Sequence, residues 1–402
     1  MKNIKLDFPI LDKKIRDKAI TYLDSAASTQ KPKQVINSIS EFLENSYENV
    51  HRGMNSLSID ATDLYEKSRD VAKNFINSNS TNEIIFTRGA TDSINIIANS
   101  LAEHLKEGDK IVVTELEHHS NYLPWMNLCK KLGLELKIIP ISKDGILSED
   151  DIINNCDNAT KILSLTHMSN VTGQILDIKK IKKSINKDTY VAVDGCQSIA
   201  HLKIDVKDLD CDFYSFSSHK LYGPSGIGIM YGKEDILNKL NPPTLGGGMI
   251  NEVSSNDFSY AMLPNKFEPG TPSIEAAIGF KTAMEYLNNN NYQDYFLNEK
   301  KLRSTLIKAL REFKEVDIYG SNEVENATSI VSFNIKNKNF NDIATFLDQY
   351  GIMIRGGHHC CQPFMKKLGI PGSCRVSFGI YNDLNDIDHF IDSLKKTLKL
   401  LQ

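Results

Sequence analysis

The chain contains no apolar run near the ~20 residues that cross a hydrocarbon core, so no membrane-spanning helix is expected. It lacks an excess of positive charge: 47 Lys and Arg stand against 51 Asp and Glu, a net charge of -4. That balance argues against nucleic acid or an anionic membrane as the main partner. The run Lys179-Lys180-Ile181-Lys182-Lys183 reads as a helix's wet face. Internal repeats and low-complexity tails are missing, which sets repeat architectures aside. Met1 to Asp7 carry lysine but no apolar core or small-residue cleavage site, so no secretion signal is expected. The seven cysteines are an odd number, which suits a reducing cytoplasm better than a disulfide framework.

What is present, from residue 81 on, is alternation. Apolar strand-like segments fall at 83–87, 110–114, 134–140, 161–166, 189–194, 212–216 and 227–231, with helix-length segments at 92–105, 122–132 and 178–185 between the earlier ones. Repeated β-α units imply a mostly parallel sheet with helices on both faces. Ligands of such sheets bind beyond the carboxyl ends of the strands, and Thr87, Asp194 and Phe216 all fall at such ends. Before residue 80 the sequence predicts helices at 32–46 and 59–77 and no sheet. The stretch 242–271, with Gly246-Gly247-Gly248, reads as a long loop. After about 290, helices at 293–313, 341–350 and 384–400 alternate with strands at 316–319, 327–333, 353–355 and 375–379, a small α+β unit. The expected division is 1–30 joining the small domain, 31–290 as the large domain, and 291–402 as the small domain.

Several strand ends carry chemistry. Lys220, in Ser217-Ser218-His219-Lys220-Leu221-Tyr222-Gly223-Pro224, stands where an apolar strand opens into a turn. That setting suits a lysine that loses its proton to bond an aldehyde cofactor; a solvated loop lysine would read the same in isolation. Thr87-Arg88-Gly89-Ala90-Thr91-Asp92 joins strand to helix, fitting a phosphate held by helix amides or an ordinary helix cap. Asp194 fits a partner for a pyridinium nitrogen, and equally a cap. His118-His119 offers a flat imidazole to stack on a cofactor ring; no further ligand at metal spacing stands nearby.

Read together, these pieces resemble the fold-type I pyridoxal-phosphate enzymes, specifically the class V aminotransferase family. The resemblance narrows with Tyr22-Leu23-Asp24-Ser25-Ala26-Ala27-Ser28-Thr29-Gln30-Lys31-Pro32, His51-Arg52-Gly53, Arg355-Gly356-Gly357-His358-His359-Cys360 and Cys374-Arg375-Val376-Ser377. These are similar to the SufS-type, group II cysteine desulfurases from about residue 4 to the end. The resemblance implies an α/β fold with a seven-stranded-type sheet, a small C-terminal α+β domain, and pyridoxal 5'-phosphate as cofactor.

It also implies roles. Lys220 bonds the cofactor, Asp194 pairs with the pyridine nitrogen, Gln197 contacts the phenolic oxygen, and His118 stacks on the ring. Ala90, Thr91, Ser217 and His219 hold the phosphate, with Thr271 reaching across a homodimer interface. Asn170, Arg355 and Arg375 serve the substrate, and Cys360 is the nucleophile; no metal is implied. The implied reaction turns L-cysteine into L-alanine and a Cys360 persulfide, supplying sulfur for iron-sulfur cluster assembly through a SufU- or SufE-type acceptor. Selenocysteine lyase and cysteine sulfinate desulfinase are alternatives on the same fold, and L-selenocysteine is an expected second substrate.

Two departures from the family pattern stand out. Cys361 occupies a place where a small residue is expected, so sulfur transfer to it or its oxidation is anticipated. Asn55 replaces an expected histidine or tyrosine. Cys129, Cys156, Cys196 and Cys211 read as buried fillers.

Overall fold

The computed structural model describes residues 4–290, 292–320 and 326–401. Readings that touch 1–3, 291, 321–325 and 402, including the start of the chain and the 290/291 boundary, fall partly outside these residues. All seven expected segments of the large sheet are strands: β1 (Ile84–Thr87), β2 (Lys110–Thr114), β3 (Glu135–Ile139), β4 (Thr160–Thr166), β5 (Tyr190–Asp194), β6 (Phe213–Ser217) and β7 (Gly228–Gly232). Their order is β1-β7-β6-β5-β4-β2-β3. Only β7 runs antiparallel to its neighbours, β1 and β6; the remaining pairs are parallel.

Side chains of a strand alternate between the two faces of a sheet, and the two layers divide accordingly. Val112, Val191 and Val193 join one apolar cluster, while Ile111, Val113 and Ala192 join the other. Both faces are covered except at the edge strand β3, whose Glu135 and Ile138 are exposed, which is why the other strands read as continuous apolar runs. The helices that cover the sheet include α1 (Lys33–Asn45), α2 (Ser56–Phe75), α3 (Ala90–Leu101), α4 (Leu123–Leu132), α5 (Ile178–Ser184) and α6 (Ile274–Asn289), with shorter ones at Glu149–Asn155, Val206–Leu209 and Glu234–Lys239. On one face α3 and α4 bury Ile94, Ile97, Trp125 and Leu128. On the other, α5 and α6 bury Ile181, Phe280 and Met284, and α1 and α2 pack on α6.

Three readings need correction. The sequence reading missed α6: Ala276, Ala277, Ile278, Phe280, Ala283 and Met284 are all buried, so little polar face marks its period. The stretch 242–271 contains a hairpin, Ile250–Val253 with Phe258–Tyr260, whose strands are largely exposed on both faces and so show no alternation. Sheet structure also occurs before residue 80, in two-residue strands too short to show a pattern. Of these, Thr21–Tyr22 pairs in parallel with Ile352–Met353.

The later part of the chain forms an antiparallel sheet of β8 (Val316–Tyr319), β9 (Ile330–Ile335), β10 (Arg355–Gly357) and β11 (Ser373–Ser377), in the order β8-β9-β11-β10. It is backed by α7 (Tyr292–Leu310), α8 (Phe340–Asp348) and α9 (Leu384–Leu400). Leu306, Phe333, Ile343, Val376 and Phe390 form its core, with Leu23 from the amino-terminal segment among them. Asn55 caps α2, its side chain accepting from the Ser58 amide at 2.9 Å.

Candidate active site

The carboxyl ends of β5 and β6 lie side by side, with Asp194 opposite Ser215. Ser217, not Phe216, is the last residue of β6; it pairs with Gly228, which pairs on its other side with Thr87. This register sets the start of α3 beside Ser217, whose Oγ accepts from the Ala90 amide at 2.8 Å. The approach requires glycine. Gly89 has φ +147°, and a Cβ on Gly228 would lie 2.6 Å from the Gly89 Cα. The result is a helix amino terminus whose own N-cap residue, Gly89, offers no side chain, facing a cavity of about 180 Å³.

Ten of the residues expected in the site line that cavity: Ala90, Thr91, His118, Asn170, Asp194, Ser217, His219, Lys220, Arg355 and Arg375. Lys220 follows β6 by three residues and closes a single helical turn, Ser218–Lys220. Asp194 is buried, and its Oδ1 accepts from the Cys196 amide at 2.9 Å, so the local cap and the cavity-facing carboxylate coexist. Thr91 Oγ1 shares a 2.7 Å bond with Ser120 Oγ. His118 accepts from the Ser120 amide through Nδ1 at 3.1 Å. Burial, then the nearby Lys220, pull its pKa down to about 3, so the imidazole is neutral at neutral pH. Burial, followed by Lys220 and Lys31, likewise lowers His219 to about 4.

Two guanidinium groups also line the cavity, Arg355 and Arg375. Arg375, buried on β11, donates through Nη1 to the Asn170 carbonyl at 3.0 Å and through Nη2 to Asp24 Oδ1 at 3.0 Å. Its Nε is buried without a partner. Arg355 stands opposite it in register on β10. Burial raises the Asp24 pKa, with Arg375 opposing the shift. Asn170 Nδ2 donates to the His359 carbonyl at 2.7 Å, tying the large sheet's rim to the segment after β10.

Cys360 is half-buried in that segment, one residue beyond the lining residue His359. His359 and Cys360 have φ of 52° and 54°, two consecutive non-glycine residues in the left-handed region. The Cys360 amide donates to His358 Nδ1 at 3.1 Å, and its carbonyl accepts from the His119 amide at 2.7 Å. Burial, then Arg375, depress the His359 pKa to about 2, so no charge on His359 supports a thiolate.

Two expected residues stand apart. Gln197 does not line the cavity; its Nε2 donates to the Ala26 carbonyl at 2.9 Å. Thr271 lines a different cavity of about 370 Å³, with Arg88, Thr244 and Glu268. Cys361 is corrected as well: it is fully buried, its Sγ 3.6 Å from the Glu115 carbonyl, and burial raises its pKa. Cys156 is only half-buried. The sequence assigns no role to Ala26, Ala27 or Ser120, which line the cavity, or to Asp24, which holds Arg375, and Cys196, read as a buried filler, lines the cavity too. Most of these sit inside sequence motifs whose pattern is visible although the individual contacts are not. Among the described residues, no group of three or more His, Cys, Asp or Glu side chains is placed to hold a metal ion, and no helix is long and apolar enough to cross a membrane.

A strand-end lysine, a strand-end carboxylate and a helix amino terminus around one cavity define the α/β enzyme class that bonds pyridoxal phosphate. Residues 21–390 match the aminotransferase class-V model, and the chain belongs to that family of pyridoxal 5'-phosphate enzymes. Within it the chain is a cysteine desulfurase. A Staphylococcus epidermidis protein described as "Probable cysteine desulfurase" is 43% identical over 99% of this chain and 96% of its own length. A Staphylococcus aureus protein of the same description is 42% identical over 97% and 95%. The cysteine desulfurase of Thermococcus onnurineus superposes with a TM-score of 0.94 at 36% identity, over 99% of this chain and 98% of that one. The Escherichia coli cysteine desulfurase CsdA, in an S-sulfonic acid form, gives 0.91 at 33% identity with the same coverage.

Proposed function

We propose that this enzyme removes sulfur from L-cysteine, leaves it as a persulfide on Cys360, and passes it on for iron-sulfur cluster assembly, as a SufS-type desulfurase. The observation that carries this is the juxtaposition of the Lys220 cavity with Arg375 and the Cys360 segment, tied through Asn170.

The donor set fits the cofactor. A helix terminus with Ala90, Thr91, Ser217 and His219 around it suits a phosphate, Asp194 suits a pyridinium nitrogen, and Lys220 suits an aldehyde. The unpartnered Nε of Arg375, with Arg355 alongside, suits the substrate carboxylate. Pyridoxal phosphate, when bound, supplies an electron-withdrawing ring that acidifies the substrate's α-carbon proton. Lys220 takes that proton on Nζ, Arg375 and Asn170 orient the carboxylate, and neutral His118 walls one face and accepts or returns a proton. The Cys360 thiolate attacks the substrate sulfur: an S–S bond forms, the substrate C–S bond breaks with its electron pair left on the carbon fragment, and that fragment leaves as alanine after its β-carbon gains a proton and its α-carbon regains the one Lys220 took. Gln197 would contact the cofactor's phenolic oxygen, and Thr271 would help hold the phosphate in a second subunit of a homodimer. The division into segment 1–30, large domain 31–290 and small domain 291–402 belongs to the same reading, as do a cytoplasmic location and a SufU- or SufE-type acceptor.

The test is alanine release from L-cysteine, followed with the cofactor's absorbance. Wild type is expected to be yellow and to release alanine, Cys360→Ala to stay yellow without releasing it, and Lys220→Ala to lose the covalent absorbance. A yellow wild type that makes no alanine, with or without reductant, would sink the reading.

A further inference from the structure

We infer that His119 is a positioning residue that clasps the Cys360 segment from outside, fixing the nucleophile's backbone and sealing Cys361 beneath it. The inference rests on the reading of Cys360 as nucleophile. Left-handed backbone at a non-glycine residue costs about 1 kcal/mol or more, and here two such residues are adjacent, His359 and Cys360. Restraint must come from elsewhere in the chain, and His119 supplies it on both sides of Cys361. Its amide donates to the Cys360 carbonyl at 2.7 Å, and its Nε2 accepts from the Gln362 amide at 3.2 Å. An accepting Nε2 leaves the proton on Nδ1, so the clasp uses neutral imidazole. The ring lies 5.7 Å from that of His358, whose Nδ1 accepts from the Cys360 amide. The two histidines therefore bracket the nucleophile's peptide units.

The clasp has a chemical consequence. Glu115, four residues before His119, receives the Cys361 thiol through its carbonyl, so one segment shuts the second thiol away from two sides. A released Cys361 thiolate would attack the inner sulfur of a Cys360 persulfide. A Cys360–Cys361 S–S bond would form, the persulfide S–S bond would break, and the outer sulfur would leave as hydrosulfide. The sulfur would be lost to solvent and the nucleophile blocked. Holding Cys361 buried keeps the sulfur on Cys360.

The experiment is native-state iodoacetamide labelling of the holoenzyme, mapped by peptide mass, for wild type, His119→Ala and His119→Gln. Wild type is expected to label at Cys360 and not at Cys361. His119→Ala is expected to label at both, with kcat down about tenfold and KM little changed, as slight misplacement of a reacting group predicts. The glutamine Oε1 accepts from the Gln362 amide, so His119→Gln is expected to restore protection and rate. Continued protection of Cys361 in His119→Ala, or labelling of both thiols in wild type, would overturn the proposal. Should His119→Ala fail to fold, amide exchange across 358–362 in wild type decides: slow exchange supports the clasp and fast exchange overturns it. Thiol mapping needs no turnover, so failure of the desulfurase reading remains distinguishable from failure of the clasp.

Discussion

The two halves of this site are held by different physics. Asp194, Ser217 and Lys220 stand at or just beyond the ends of buried strands, where the sheet's own register fixes their places. Cys360 stands in irregular backbone, in a left-handed conformation held by hydrogen bonds from the distant His119 and Asn170 and from the neighbouring His358. A ladder of backbone bonds tolerates the loss of one side chain. A segment held by a few side chains does not. The half that must anchor a cofactor is built into the sheet, and the half that must present a sulfur atom is held by contacts that can be undone singly.

The largest expected effects come from substituting the chemical residue of each half. Lys220→Ala and Cys360→Ala should both abolish alanine release, but only Lys220→Ala should lose the covalently bound cofactor's absorbance. If Cys360→Ala also lost it, the halves would not be separable. Next is Arg375→Ala, which leaves Asp24 half-buried without its partner and removes the carboxylate's guanidinium. A drop of about 100-fold in kcat/KM, about 3 kcal/mol, is expected. Asp24→Asn keeps Arg375 and should raise KM only about three- to tenfold; steady-state kinetics separates the two.

The buried imidazoles compare the halves through pH. His167, bonded to Tyr214 in the sheet half, is lowered to about 4, and His359, in the cysteine segment, to about 2; burial is the first cause in both. Each is neutral when folded and takes a proton near pH 6.5 when unfolded, so its stabilisation is present above 6.5 and lost as pH falls. At pH 5 each should cost the cofactor-free chain about 2 kcal/mol. His167→Gln and His359→Gln should each flatten the fall in unfolding free energy between pH 6.5 and pH 5, measured by urea titration. The smallest effect is expected from Cys361→Ala: about 1 kcal/mol of stability and nearly unchanged alanine release.

The same contrast explains what could be read from the sequence. Six strands of the large sheet are legible because burial on both faces leaves apolar runs punctuated by turns, as in Val191-Ala192-Val193 before Asp194, whereas the edge strand β3 is largely exposed and carries Glu135 and Lys137. Ten residues of the cavity followed from strand ends and motif resemblance together. Helix α6 was hidden by burial on nearly every side, and the hairpin at 250–260 by exposure on both faces. Asp24 and His119 lie within recognisable motifs, but their partners are 351 residues away for Asp24 and more than two hundred for His119. No local pattern encodes such a pairing. Cys361 was anticipated as a reactive neighbour because adjacency along the chain says nothing of burial, and the fold turns its thiol inward.

The most direct test of the central claim is to mix the holoenzyme with L-cysteine, quench without reductant, and map the bound sulfur by peptide mass. A single extra sulfur atom on Cys360, with alanine formed in equal amount and none on Cys361, is the predicted result. Alanine formed with the extra sulfur on Cys361, or on neither residue of the pair, would contradict it.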